Sequence, residues 1–126
     1  MAPAYDDQNI FARILRGEIP NQTVAENEHA LAFRDIAPKA PVHVLVIPKG
    51  RYVSFDDFSA KASPEEITGF LRLCAEVARI EGVTLEGGNG FRAITNAGAD
   101  GVQEVPHFHL HIMGGRMMGP MVTTRG

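Results

Sequence analysis

The stretch PHFHLHIMGG, residues 106–115, constrains the fold more than any other part of the chain because its side chains alternate in character. Successive side chains of a β-strand point to opposite faces, so the alternation predicts a strand with two different faces. One face carries His107, His109, His111 and Met113. The other carries Phe108, Leu110 and Ile112. Because the apolar face must pack against another layer, we expect a helix to cover it and the imidazole row to face a cleft.

A helix suited to that covering role begins at SPEE, residues 63–66. Ser63 predicts an N-cap, Pro64 fits the first helical position, and Glu66 completes a capping box. The helix is expected to end at Gly82. Helical spacing predicts one buried stripe, composed of Ile67, Phe70, Leu71, Cys74, Val77 and Ala78.

The remaining elements are shorter. A first helix is predicted after an N-cap at Asp6 or Asp7, ending at Gly17. Residues 22–28 and 30–36 suggest a hairpin that turns near Asn27 and Glu28. Residues 42–49 form a β-branched run that is apolar on both sides, as in a central strand, and residues 91–96 predict one more strand before a glycine-rich loop, 97–106.

These elements lack the regular alternation of strand and helix that a parallel sheet requires. We therefore expect an α+β fold: an antiparallel sheet of about five strands with one long and one short helix. The length of 126 residues suits a single domain, 1–126, with flexible ends at about 1–5 and 117–126.

Charge and hydropathy exclude two classes of partner. The formal net charge is −3 and no block of lysines and arginines occurs, which argues against nucleic acid. The longest charge-free apolar stretch, 40–48, is too short to span a bilayer. The single cysteine, Cys74, cannot form an internal disulfide, and the acidic start lacks the pattern of a secretory signal. We expect a cytoplasmic protein.

Three alternatives account for the histidine row. It is structural, it binds zinc, or one imidazole acts as a nucleophile while its neighbours fix its tautomer. At roughly 3.3 Å per residue, His107 and His111 lie about 13 Å apart along a straight strand, too far to share one ion. Two of the three histidines together with His43 remain a possible zinc set, which makes zinc an unfavoured alternative.

With its HFHLHIM segment, the chain resembles the histidine triad (HIT) family, in particular the branch of histidine triad nucleotide-binding proteins. The segments IFARILRGEIP, LAFRDIAPKAPVHVLVIPKG and ITNAGADGVQEVPHFHLHIMGGR extend the resemblance over almost the whole chain. It implies a homodimer with sheets joined across the interface, a purine nucleotide ligand of the AMP type, hydrolysis of purine nucleoside phosphoramidates, and no required cofactor. His109 would attack the α-phosphorus, while His43, His107 and His111 orient rings and contact phosphate oxygens.

The resemblance also implies a nucleotide-binding set. Asp35 would accept hydrogen bonds from ribose hydroxyls, and Asn96, Gln103 and the backbone from Val102 to Glu104 would contact the phosphate and the leaving group. The apolar base slot would consist of Phe11, Ile19, Phe33, Ile36 and Leu45. Glu104 stands where close relatives in this branch carry a serine, and the tail GGRMMGPMVTTRG lacks the aromatic-and-proline ending of eukaryotic members.

Two other functions fit the same residues. One is a nucleotide-binding regulator without catalysis. The other is a hydrolase of dinucleoside polyphosphates or a nucleotidyl transferase of the same family.

Overall fold

The computed structural model describes residues 4–123, so residues 1–3 and 124–126, parts of the ends expected to be flexible, lie outside the described residues. Eight elements follow one another along the chain. They are α1 (Ile10–Leu15), β1 (Thr23–Glu26), β2 (Ala30–Arg34), β3 (Val42–Pro48), α2 (Phe55–Lys61), α3 (Pro64–Ile80), β4 (Phe91–Ile94) and β5 (Leu110–Gly114). None of the helices within residues 4–123 combines the length and apolar character that a membrane crossing needs.

The five strands form one antiparallel sheet in the order β1-β2-β3-β5-β4. This confirms the predicted α+β class and the predicted hairpin of β1 and β2. In the centre of the sheet, Val44 pairs with Ile112 and Leu45 pairs with His111. The register therefore places the histidine side of β5 on the same face as Leu45 of β3.

Strand β3 is buried on both faces, as its continuous apolar sequence predicts. Val44 and Val46 point into the core beneath α3, together with Phe70 and Ile112. Leu45 and Ile47 point the other way, into a smaller cluster that contains Phe11, Ile14, Leu31 and Phe33. The sheet thus separates a main core from a second apolar face, and the histidines lie on the second.

Helix α3 begins with the predicted capping box, in which Ser63 and Glu66 each bond to the other's backbone N–H. Its buried face was predicted wrongly at one position. Leu71 is 59% exposed, and Leu73 is buried instead. The reason is helical phase: positions 70, 73 and 77 lie on one line along a helix of 3.6 residues per turn, whereas Leu71 is turned about 100° away from Phe70.

Two helix predictions need correction. The N-cap of α1 is Asn9 rather than Asp6 or Asp7, because the Asn9 side-chain oxygen accepts the Ala12 N–H at 2.9 Å. The prediction of two helices is also wrong, since α2 is a third. Its sequence signal is Ser54, which caps the helix by accepting the Asp57 N–H. The helix has only seven residues and few apolar ones, so the segment SFDDFSAK shows no clear helical repeat.

The histidine strand is shorter than predicted, because β5 begins at Leu110 and not at His107. Its ladder with β3 stops at the pair Val46 and Leu110, and continuing the register would place Phe108 opposite Pro48. Proline has no N–H to give to a ladder. The Pro48 carbonyl instead lies 2.9 Å from Nε2 of His107, so a side chain replaces the backbone partner.

Candidate active site

A cavity of about 560 Å³ opens on the sheet face opposite α3. Its apolar floor comes from the second cluster, chiefly Phe11, Phe33 and Leu45. Polar groups converge on its edge, among them Asp35, His43, Asn96, Glu104, His109 and His111. An apolar slot with a few convergent polar groups is the usual form of a small-molecule site.

His109 is buried at the cavity wall, with its ring held from both sides. Its Nδ1 lies 2.8 Å from the carbonyl oxygen of His107, and Phe11 meets the ring edge-on at a centroid distance of 4.9 Å. The Thr95 hydroxyl donates to the carbonyl of His109 at 2.7 Å. Because a carbonyl only accepts, Nδ1 of His109 carries the proton, and the Nε2 lone pair has no partner among residues 4–123.

His43 and His111 form a second chain of hydrogen bonds whose direction is fixed by its first donor. The Lys39 backbone N–H donates to Nδ1 of His43 at 3.0 Å, so a neutral His43 carries its proton on Nε2. That Nε2 lies 2.9 Å from Nδ1 of His111 and 3.4 Å from Oδ2 of Asp35. The proton of a neutral His111 is thus on its own Nε2, available to a ligand in the cavity.

Burial keeps these imidazoles neutral near pH 7. Desolvation, together with the nearby imidazoles of His109 and His43, lowers the pKa of His111 to about 4. Desolvation likewise lowers the pKa values of His43 and His109, and the carboxylates of Asp35 and Glu104 oppose this at His109. A neutral imidazole retains the lone pair that nucleophilic attack requires.

His107 lies outside the cavity, so the sequence-based expectation that it contacts phosphate has no support in its position. The side chain is fully buried, and burial lowers its pKa to about 4. Its Nε2–H donates to the Pro48 carbonyl, which leaves Nδ1 to accept a 2.6 Å bond from the Tyr5 hydroxyl. His107 therefore acts on the site through its carbonyl, which orients His109.

We expect the Tyr5→Phe variant to be less stable by about 1–3 kcal/mol, because it leaves Nδ1 of the buried His107 without its donor. The ring and its stacking beneath the Arg51 guanidinium, 5.1 Å from the ring centroid, are retained. Urea denaturation monitored by circular dichroism measures the change. The matched control is Tyr52→Phe, whose hydroxyl bonds the partly exposed Glu66 carboxylate instead. Equal stability of Tyr5→Phe and the wild type would show that water replaces the hydroxyl.

The predicted ribose and base residues all line this one cavity. Asp35 directly follows β2, and its Oδ1 accepts the Ala37 N–H at 2.8 Å, which turns Oδ2 toward His43. Phe11, Phe33 and Leu45 are buried in the floor, and Ile19 is half-buried beside them. Ile36 is 94% exposed and lies at the rim.

Of the ligand-contacting residues predicted at Asn96 and in loop 97–106, some line the cavity and others do not. Asn96 and Glu104 line the cavity, whereas Gln103 and Val102 do not. The Gln103 amide is occupied in holding the loop: Nε2 donates to the carbonyls of Val53 and Val105, and Oε1 accepts the Gly98 N–H. Val102 is exposed, with φ of 59°. This backbone shape is uncommon for a β-branched residue and fixes the course of the loop.

A set of three residues at the site has the composition of a metal site. Single ligand atoms of Asp35, His43 and His111 all lie within 4.8 Å of one another. Two imidazoles and a carboxylate form a donor set that zinc accepts, with its fourth position open. The set matches the sequence-based alternative only in part: it contains His43 and one histidine of the row, His111, with Asp35 in place of a second histidine of the row.

Sequence reasoning missed several residues of the site because their signals are not local. Tyr5 lies 102 residues from His107, and the Lys39 N–H that sets the tautomer of His43 belongs to the backbone. Ile14 and Val105 also line the cavity, and their apolar side chains belong to the second cluster, which gives them no sequence signal of their own. Met113 lines it as well, as its predicted place on the histidine face indicates.

Comparison with known proteins agrees with this geometry. The profile of the HIT domain matches residues 16–118. The chain belongs to the HIT family. A 13.2 kDa HIT-like protein of Azospirillum brasilense is 57% identical over 98% of both chains. The purine nucleoside phosphoramidase of Escherichia coli K12 is 38% identical over 95% of this chain and 98% of its own.

Other members of the family extend the comparison to structure and to metal. A solved structure of a HIT family hydrolase from Clostridium thermocellum superposes with a TM-score of 0.81 at 32% identity, covering 94% of this chain and 99% of its own. A 14 kDa zinc-binding protein of Zea mays is 42% identical over 90% of this chain and 86% of its own. The named relatives support a hydrolase at the level of the family.

Proposed function

We propose that this HIT family protein hydrolyses purine nucleoside phosphoramidates, or related conjugates of a nucleoside monophosphate, through a nucleotidyl intermediate on His109. The observation that carries the proposal is the state of the His109 ring. Its Nδ1–H is committed to the His107 carbonyl, and its Nε2 lone pair is left at the wall of the cavity. The relative described as a purine nucleoside phosphoramidase supports the choice of substrate.

The proposed reaction has two steps, formation of the nucleotidyl intermediate and its hydrolysis. In the first, Nε2 of His109 forms a bond to the α-phosphorus while the P–N bond breaks, and the amine leaves with that electron pair and takes a proton from solvent. The ring becomes a cation whose Nδ1–H still donates to the His107 carbonyl. In the second, water forms a bond to phosphorus, the P–Nε2 bond breaks, and the water proton passes to solvent. AMP and the neutral imidazole are the products.

The other two imidazoles supply an oriented donor for the phosphate oxygens. Because Lys39 N–H fixes the tautomer of His43, and His43 fixes that of His111, the Nε2–H of His111 needs no reorganisation to donate. Donors placed in advance where negative charge accumulates stabilise the transition state. This assigns His111 to the phosphate and His43 to the positioning of His111, and it leaves His107 as a support for His109.

The nucleoside is proposed to lie along the cavity floor. The apolar surface of Phe11, Phe33 and Leu45 suits a purine ring, and the Asp35 carboxylate at its edge suits the two ribose hydroxyls as an acceptor. Ile19 and Ile36 complete the slot on its open side. Asn96 also lines the cavity and belongs to the set proposed to contact the phosphate.

Incubation of the protein with adenosine 5′-phosphoramidate, followed by chromatography for AMP, tests the proposal. We expect catalytic release of AMP and, after acid-free quenching, a nucleotidyl group on the protein by mass spectrometry. Diadenosine polyphosphate is the comparison substrate. Faster turnover of that compound would favour the polyphosphate hydrolase alternative, and tight AMP binding without turnover of either compound would favour the regulator.

The proposal includes a homodimer, as the family resemblance implies. Within residues 4–123, β4 pairs with β5 on one side only, so its other edge is available to a second chain. An edge that pairs with its copy would join two sheets into one and protect exposed backbone groups.

Zinc and the nucleotide are proposed to exclude each other. Asp35, His43 and His111 would hold the ion, which would supply a Lewis acid there. However, metal binding would displace the proton shared by His43 and His111 and would occupy the carboxylate proposed to bind ribose.

Hydrolysis is therefore expected to be unchanged by a chelator and to be inhibited by added zinc in competition with substrate. Initial rates at several zinc and substrate concentrations measure this. The Asp35→Asn variant should need about tenfold or more zinc for the same inhibition, because it replaces one of the three proposed ligands of the ion. Loss of activity with the chelator and its return with zinc would instead make the metal a participant.

A further inference from the structure

Glu104 is a carboxylate at the cavity wall with no opposite charge beside it. It is exposed at the surface of loop 97–106 and lines the same cavity as His109. Within residues 4–123, no lysine, arginine or histidine forms an ion pair with it. The other charged residues that line the cavity are Arg34, which is paired with Glu81, Asp35, which approaches His43, and Lys39.

The position of Glu104 relative to the proposed nucleotide follows from which parts of the cavity are proposed to bind the base, the ribose and the phosphate. The floor is apolar and suits the base, and Asp35 with His43 and His111 forms the end proposed for the ribose and phosphate. The lining also includes a wall from the end of β4 and the segment that follows it, composed of Ile94, Asn96, Glu104 and Val105. A group that leaves the phosphorus on the side away from the nucleoside has this wall as its surroundings.

Charge near the nucleophile agrees with this placement. Glu104 and Asp35 both raise the pKa of His109 against the lowering by burial, so the Glu104 carboxylate acts on the reacting ring. A carboxylate that acts on the His109 ring also attracts a nearby cation and repels a nearby anion, and the interaction is partly screened because the side chain is exposed.

We infer that Glu104 selects the leaving group, so that the preferred substrates are phosphoramidates whose amine carries a positively charged group in addition to the nitrogen bonded to phosphorus. The inference rests on the proposed function and deepens it by naming the substrate class. The same charge disfavours leaving groups that are anionic, which include the nucleotide released from a dinucleoside polyphosphate.

Three adenosine 5′-phosphoramidates with the same linker test the inference. Their linkers end in an ammonium, a neutral amide or a carboxylate, and kcat/KM is measured for each. For the wild type at low salt we expect kcat/KM for the ammonium compound to exceed that for the carboxylate compound by about tenfold, since each exposed charge pair changes the rate by a few-fold. The ratio should fall toward one in about 1 M salt, where the Debye length is roughly 3 Å.

Variants of Glu104 separate charge from shape. Glu104→Gln should bring the ratio of ammonium to carboxylate substrate close to one, and Glu104→Lys should invert it. Asp100→Asn is the matched control, since Asp100 is an exposed carboxylate of the same loop that does not line the cavity, and it should keep the wild-type ratio.

The outcomes distinguish the role assigned to Glu104 from the proposed hydrolase function. Turnover of all three compounds with equal kcat/KM, or a ratio that Glu104→Gln leaves unchanged, overturns the assignment of Glu104 and leaves the hydrolase intact. Turnover of none of them overturns the proposed function itself, and the inference fails with it.

Discussion

A His109→Gly variant is expected to lose phosphoramidate hydrolysis by at least about 10⁴-fold in kcat, because it removes the atom that we propose bonds to phosphorus. AMP binding should stay within about threefold of the wild type, since the floor and Asp35 are untouched. Rates of AMP release and calorimetric titration with AMP measure the two quantities. A large loss of kcat with little change in binding is the behaviour of a group that acts in the chemical step.

Two further measurements make this result specific. His29→Gly is the matched control, because His29 is a half-buried histidine that does not line the cavity, and its kcat should stay within about twofold of the wild type. Added imidazole should restore part of the activity of His109→Gly by occupying the space of the lost ring. Hydrolysis by His109→Gly at more than about a tenth of the wild-type rate would mean that a different group attacks phosphorus.

Much of the fold was predictable because its signals are local and periodic. The capping box at Ser63 and Glu66 fixes where α3 begins, and the two-sided apolar run of β3 fixes its place in the centre of the sheet. Alternation after Pro106 predicts that His109 and His111 share a face, and both line the cavity. The pattern needed no knowledge of the partner strands, since side-chain direction follows from strand geometry alone.

The remaining features depend on contacts between distant segments. Whether an imidazole donates or accepts is set by its partner, and the partners of His107 are Tyr5 and the carbonyl of Pro48. Pro48 also ends the ladder that would have included His107 in β5, which no pattern in residues 106–115 reveals. Sequence spacing therefore located the row of histidines but could not show that its first member is buried outside the cavity.

The Phe108→Ala variant is expected to lower the free energy of unfolding by about 3–5 kcal/mol, as other buried Phe-to-Ala changes do. Phe108 is 1% exposed, and its ring centroid lies 4.9 Å from that of Phe70 and 5.0 Å from that of Phe58. Urea denaturation measures the loss. Leu71→Ala is the control, on the helix whose Phe70 packs against Phe108, and it should change stability by no more than about 0.5 kcal/mol, because Leu71 is on the exposed side of α3.

The same variant tests whether the core orients the nucleophile, since Phe108 lies in the chain between His107 and His109. Phe58→Ala serves as the comparison, because Phe58 is buried in the same aromatic cluster but belongs to α2. Both variants should be destabilised by several kcal/mol, whereas kcat, measured well below both melting temperatures, should fall by about tenfold or more only in Phe108→Ala. Equal kcat values in the two folded variants would mean that the hydrogen bonds of Tyr5, Pro48 and Thr95 position His109 without help from the core.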